Sequence, residues 1–96
     1  MKHKIGDIWI TGSGETNIKT NTGKTQSYHR FLVEEYFGFQ IPNGYVIHHI
    51  DFNHLNNTLS NFLIIPTALH IWIHRTKTNY LSSNLEVFKN LYTNTK

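Results

Sequence analysis

Cysteine is absent from this sequence, and its absence excludes disulfides and every thiolate-ligated zinc or iron–sulfur site. Any metal must be held by His, Asp, Glu or Asn. Only two prolines and one methionine occur, and there are only six acidic residues against nine Lys and Arg. No apolar run approaches the roughly 20 residues that span a bilayer, and no charged-then-apolar leader opens the chain. These absences lead to the expectation of a cytoplasmic protein without a signal peptide or membrane partner. At 96 residues the chain is expected to form one domain. A core of that size hides only about 60–65% of the unfolded surface, so a bound metal would be a useful staple.

What is present in excess is histidine: seven in total, with His48, His49, His54, His70 and His74 inside one 27-residue stretch. The formal charge of +3 and a sequence pI of about 9.3 favour a polyanionic partner such as nucleic acid.

Along the chain, "DIWIT" and "NIKT" read as strands, with "GSGET" and "NTGKT" as turns, so residues 1–27 are expected to form a β hairpin or meander. A helix over 28–38 follows. Ser27 is placed to cap it, Tyr28, Phe31, Leu32, Val33, Tyr36 and Phe37 form its apolar stripe, and Gly38 stands at its C-terminal turn. "IPNG" is a turn before the strand "YVIHH". Residues 51–61 hold four asparagines and no periodicity, which predicts a loop held by side-chain-to-backbone bonds. "FLII" is a second strand, and Pro66 suits the first position of a helix over "TALHIWIHRTKTNYL". A short helix is predicted at 84–92. The fold class is therefore α+β, with Trp9 and Trp72 expected in the core and His3 in a disordered terminus.

His48 and His49 are adjacent on a strand, so their side chains are expected on opposite faces. His70 and His74 lie four apart on a helix, so they share a face and can chelate one cation. If that helix packs on the strand, one of His48 and His49 completes a three-histidine site. Three protein ligands with an open position is the pattern of a catalytic metal site. The other histidine is then free to act as a base near neutral pH.

The stretch "GYVIHHIDFNHLNNTLSNFLIIPTALHIWIHR", residues 44–75, resembles the HNH (His-Me, ββα-metal finger) endonuclease motif across about a third of the chain. "YHRFLVEEYFG" before it resembles the preceding helix of phage and homing HNH endonucleases. The resemblance implies one HNH domain over 1–96, with the finger at 44–76 and a tail at 77–96. It implies His49 as general base and His48 as first metal ligand. It further implies Asn61 as the asparagine that braces the loop and keeps the base oriented. His70 matches the closing histidine, and His74 the extra ligand of the colicin-DNase-like branch. One divalent cation is implied (Zn, Ni, Co, Mn or Mg), as is hydrolysis of double-stranded DNA to 3′-hydroxyl and 5′-phosphate ends. Val46 and Ile47 depart from colicin-type motifs, which carry charged residues there.

Arg75 is the leading candidate to clamp a phosphate. Asp51, Asn56 and Asn57 are expected to support the loop, and His54 to be exposed. Arg30, Lys24 and Lys77 are candidates for contacts to DNA. His29 is explained as well by packing as by the "HR" pair of the homing branch. No appended DNA-reading module is visible, so selectivity is expected from the β-rich start, a homodimer or a partner protein. A metal-stabilised DNA-binding finger without catalysis is the main alternative. A histidine metal carrier is a third, but it leaves "SNF" and the asparagine loop unexplained.

Overall fold

The structure is a computed structural model and describes residues 3–78 and 81–94. It begins with an antiparallel meander of three short strands, β1 (Ile8–Ile10), β2 (Thr16–Lys19) and β3 (Thr25–Ser27), in the order β1-β2-β3. The two connections are built alike. Thr11 and Thr20 each accept from a glycine three residues on, Gly14 (3.0 Å) and Gly23 (2.9 Å). Those glycines take φ of 88° and 81°, a region that L side chains avoid. The sequence pointed to two strands here, and β3 adds a third.

Helix α1 (Tyr28–Phe37) follows β3 without a loop and ends at Gly38, whose left-handed backbone (φ 80°) returns its N–H to Glu34 O at 2.9 Å. Ser27 sits at the N-cap, but its hydroxyl makes no capping bond, because its backbone is still paired with Asn17 in the sheet. The Glu34 carboxylate ties this region together. It accepts from Gln26 Nε2, Arg30 Nε and the backbone N–H of Ile41 at 2.9, 3.2 and 2.9 Å.

The centre of the molecule is a second sheet of two antiparallel strands, β4 (Tyr45–His49) and β5 (Phe62–Pro66), with His48 opposite Leu63 and His49 opposite Phe62. Both faces of this hairpin are covered, which explains why its strands are apolar runs rather than alternating patterns. One face carries Ile47, Phe62 and Ile64 and packs against Val33 and Phe37 of α1, Ile41 and Leu85. The other carries Leu63 and Ile65 and packs against Ile73 of helix α2 (Thr67–Thr76). Between the strands the chain is a loop that closes in a single 3-10 turn at Leu59–Asn61.

Several expectations need correction. Pro66 is the last residue of β5 and the N-cap of α2, because Tyr45 pairs with it across the sheet. Helix α2 stops at Thr76, where Lys77 takes a left-handed conformation (φ 58°). Part of its expected extension, 79–80, lies outside the described residues. Trp72 is 51% exposed: its position puts it on the side of α2 away from Ile73 and the hairpin. Trp9 is only partly buried, and His3 stacks on it at 3.5 Å between ring centroids.

Helix α3 (Leu85–Asn94) confirms the helix expected near the end, and the residue before it was not foreseen as structural. Asn84 Oδ1 accepts from Ile64 N–H and Asn84 Nδ2 donates to Ile64 O, both at 2.8 Å. One carboxamide thus does on the outer edge of β5 what a third strand would do. Replacing it strands two backbone groups of a residue only 2% exposed. Asn84→Ala is expected to lower the unfolding free energy by about 2–4 kcal/mol. Denaturant titration checks this, with Asn90→Ala, an exposed asparagine of α3, expected to change it little.

Candidate metal centre

Strand β4 ends in its two histidines, and the pleat sends them to opposite covers of the hairpin. His48 faces α2. Its ring centroid is 5.3 Å from that of His70 and 5.1 Å from that of His74, which are 4.5 Å from each other. The Nε2 atoms of His70 and His74 lie 3.0 Å apart. One ligand atom from each of His48, His70 and His74 falls within 4.8 Å of the others. The i, i+4 spacing on α2 and the packing of Ile73 on Leu63 and Ile65 produce this convergence.

His48 is 1% exposed, and neither of its ring nitrogens has a hydrogen-bond partner among the described residues. Burial, then the neighbouring His70 and His74, push its pKa down to about 4. His70 is lowered as well, by burial and then by His74. His48 and His70 therefore favour the neutral imidazole, the form that binds metal. Orphaned nitrogens and a donor set of three imidazoles both fit a divalent cation. Phe52 closes the outer side, with its ring 5.1 Å from His48 and 5.2 Å from His74. It does so from a left-handed backbone (φ 61°), an uncommon conformation for a bulky residue.

His49 faces the α1 side and is held differently. Its Nε2 is 3.0 Å from Asn57 Oδ1. An oxygen acceptor there places the proton on Nε2 and leaves the lone pair on Nδ1. His29 meets the ring edge-on at 5.1 Å, Phe62 edge-on at 5.3 Å, and His54 lies parallel to it at 5.3 Å. Burial lowers the His49 pKa, and the Asn57 bond opposes that shift in part.

Although they point apart, both strand histidines border one cavity of about 200 Å³, which His29, His54, His70 and His74 also line. Glu15 and Thr16 of the meander form part of its wall.

The loop between the strands is organised by Asp51 and Asn61. The Asp51 carboxylate accepts from Asn56 Nδ2 (2.8 Å), Asn53 N–H (2.8 Å) and Asn61 Nδ2 (2.9 Å). These bonds, that from Asn56 foremost, hold its pKa below the usual carboxylate range. Asn61 is 8% exposed. Its Oδ1 accepts from Asp51 N–H (3.1 Å), and its Nδ2 also donates to Asn56 O (2.9 Å). Asn61 thus touches the loop and not His49, whereas Asn57, expected only as loop support, reaches the ring itself.

None of the expected cationic contacts lines the cavity. Arg75 is exposed beside His74, and Lys24 is exposed in the turn before β3. Arg30 pairs with Glu34 at 3.2 Å, and Lys77 Nζ lies 5.8 Å from the centroid of the Phe52 ring. His29 and Phe52 were not singled out as site residues. The signals in sequence for His29 were the "HR" pair and its position in the first turn of α1, which becomes informative once the packing of α1 is known.

The fold keeps His48 and His29 neutral, with His29 also lowered to about 4 by burial and the charges of His49, His54 and Arg30. Each has a folded pKa below its ordinary 6.5, so the stability they contribute is present above pH 6.5 and is lost as pH falls towards 4. Unfolding the metal-free protein at pH 5 is expected to take up about two protons from these groups alone. Denaturation midpoints followed between pH 7 and 4 check this, with His29→Phe expected to flatten the dependence.

Compared with known families, residues 27–70 match the HNH endonuclease family model. No curated protein and no solved structure matches the chain. The matched segment runs from Ser27 through α1, the hairpin and the first half of α2, and stops four residues before His74. Residues 27–70 are therefore similar to the HNH endonuclease family.

Proposed function

We propose that this domain is a metal-dependent endonuclease that hydrolyses phosphodiester bonds of double-stranded DNA. One observation carries the reading. The end of a single strand presents a three-imidazole cluster on one side and a separately held imidazole on the other, and both border one cavity. The second imidazole, held apart from the cluster, is placed to act as a base.

In this reading His49 is the general base. Asn57 occupies its Nε2, so a water approaching the phosphorus gives its proton to Nδ1. His48, His70 and His74 would hold the cation, and when bound it supplies Lewis-acid neutralisation of the charge on the phosphate and the leaving oxygen. Imidazole ligands favour Zn, Ni, Co or Mn over Mg, which prefers oxygen donors. Asn61 and Asp51 hold the loop that presents Asn57. Arg75 stands next to His74 with no hydrogen bond or ion pair among the described residues, and so is free to contact phosphate. Lys24, Arg30 and Lys77 add positive charge along the duplex. Selectivity would come from the meander, a second copy or a partner protein.

The test is nicking of supercoiled plasmid in Mg, Mn, Ni or Zn, with and without EDTA. His49→Ala is expected to lose about 10²–10⁴-fold in rate while keeping its zinc affinity. His74→Ala is expected to weaken zinc binding by at least about tenfold and to lose the metal-induced rise in Tm. Cutting that survives EDTA, or a fully active His49→Ala, would contradict the mechanism. Binding of duplex DNA with no cutting in any metal would support the inert-finger alternative.

A further inference from the structure

Two of the four contacts that restrain His49 come from a single loop. Asn57, which holds its Nε2, and His54, which lies parallel to its ring, both belong to the 51–61 connection, and His54 is exposed. Phe62 supports the ring from the partner strand. The remaining contact comes from elsewhere. His29 sits in the first turn of α1, a helix anchored in the core through Val33 and Phe37, which are 0% and 3% exposed. Its ring meets His49 edge-on at 5.1 Å and Phe62 at 6.2 Å. No hydrogen bond to the His29 ring exists among the described residues, so it acts on its neighbours by shape. Burial keeps it neutral at physiological pH, so it adds no positive charge beside His49.

We infer that His29 is a positioning residue for His49: its ring, fixed by α1, holds the base in the one orientation that keeps Nε2 on Asn57 and leaves Nδ1 free. This rests on the assignment of His49 as base. Without His29, a strand-terminal imidazole followed by a turn would depend on an exposed loop for its orientation. A loss of alignment of about 1 Å costs on the order of 10²-fold in rate.

Three variants separate shape from chemistry. His29→Ala removes the ring, His29→Phe keeps a flat ring without nitrogens, and His29→Gln keeps hydrogen-bonding groups without a ring. Plasmid nicking by the zinc- or manganese-loaded protein is expected to show kcat reduced about 10–100-fold in His29→Ala, with KM and zinc affinity unchanged. His29→Phe is expected to recover most of the rate, and His29→Gln little of it. Long-range ¹H–¹⁵N NMR spectra of the imidazoles give a readout independent of cutting. His49 is expected to be a single Nε2–H tautomer in the wild type and in His29→Phe, and an averaged one in His29→Ala.

A His29→Phe as impaired as His29→Ala would overturn the inference and assign His29 a direct chemical role. So would a His49 spectrum unchanged by His29→Ala. If the wild type does not cut, or His49→Ala cuts normally, the base assignment fails, and the NMR comparison still decides whether His29 orders the ring. If His29→Ala does not fold, as read by circular dichroism, the contrast between Phe and Gln decides.

Discussion

An imidazole buried to 1% exposure with neither nitrogen hydrogen-bonded is an expensive thing to fold around. Each buried polar group left without a partner costs about 1–3 kcal/mol. His48 carries two such atoms, in the middle of a chain whose small core has little stability to spare. The surroundings do nothing to relieve it with protein donors. Instead they bring two more imidazoles to it from α2 and close the outside with the Phe52 ring, at the expense of a left-handed backbone. The arrangement makes sense if the missing partner is a cation, which would take one ring nitrogen from each of His48, His70 and His74. Folding and metal binding would then be coupled.

The second constraint is the two-residue period of a strand. Adjacent histidines on β4 must serve opposite faces, and the hairpin can use both because α1 covers one and α2 the other. The helix on each side dictates what each imidazole becomes. On the α2 side it meets two further imidazoles. On the α1 side it meets His29 and Phe62, and a carboxamide from the loop. The loop can supply that carboxamide only because Asp51 and Asn61 bind each other and their neighbours in a closed set of short bonds. Both histidines still reach one cavity, because they sit at the strand end where the chain turns.

Much of this was legible in sequence, because the informative residues are local. The apolar runs, the asparagine-rich loop and the HxxxH spacing give strand, loop, strand and helix in order, and all four occur. What escaped depends on tertiary packing. Ser27 is a good cap by type, but its backbone belongs to β3. Trp72 looks like core by type, yet it occupies the side of α2 away from the hairpin and is 51% exposed. Asn84 lies 20 residues from Ile64, and nothing in its neighbourhood shows that it will replace a strand. His29 gains meaning only when α1 packs across β4 and β5. The partners of Asn57 and Asn61 could not be told apart in a run of similar asparagines, since the difference lies in which carboxamide the loop turns inward.

The central claim is that His48, His70 and His74 bind one cation while His49 stays off it. X-ray absorption at the metal edge of the zinc-loaded protein tests this most directly. The expected spectrum has three imidazole nitrogens at about 2.0–2.1 Å and at least one oxygen from solvent. It should be unchanged in His49→Ala and should lose one imidazole in His48→Ala. A spectrum that loses an imidazole in His49→Ala, or that shows fewer than three in the wild type, would contradict the division of the two strand histidines.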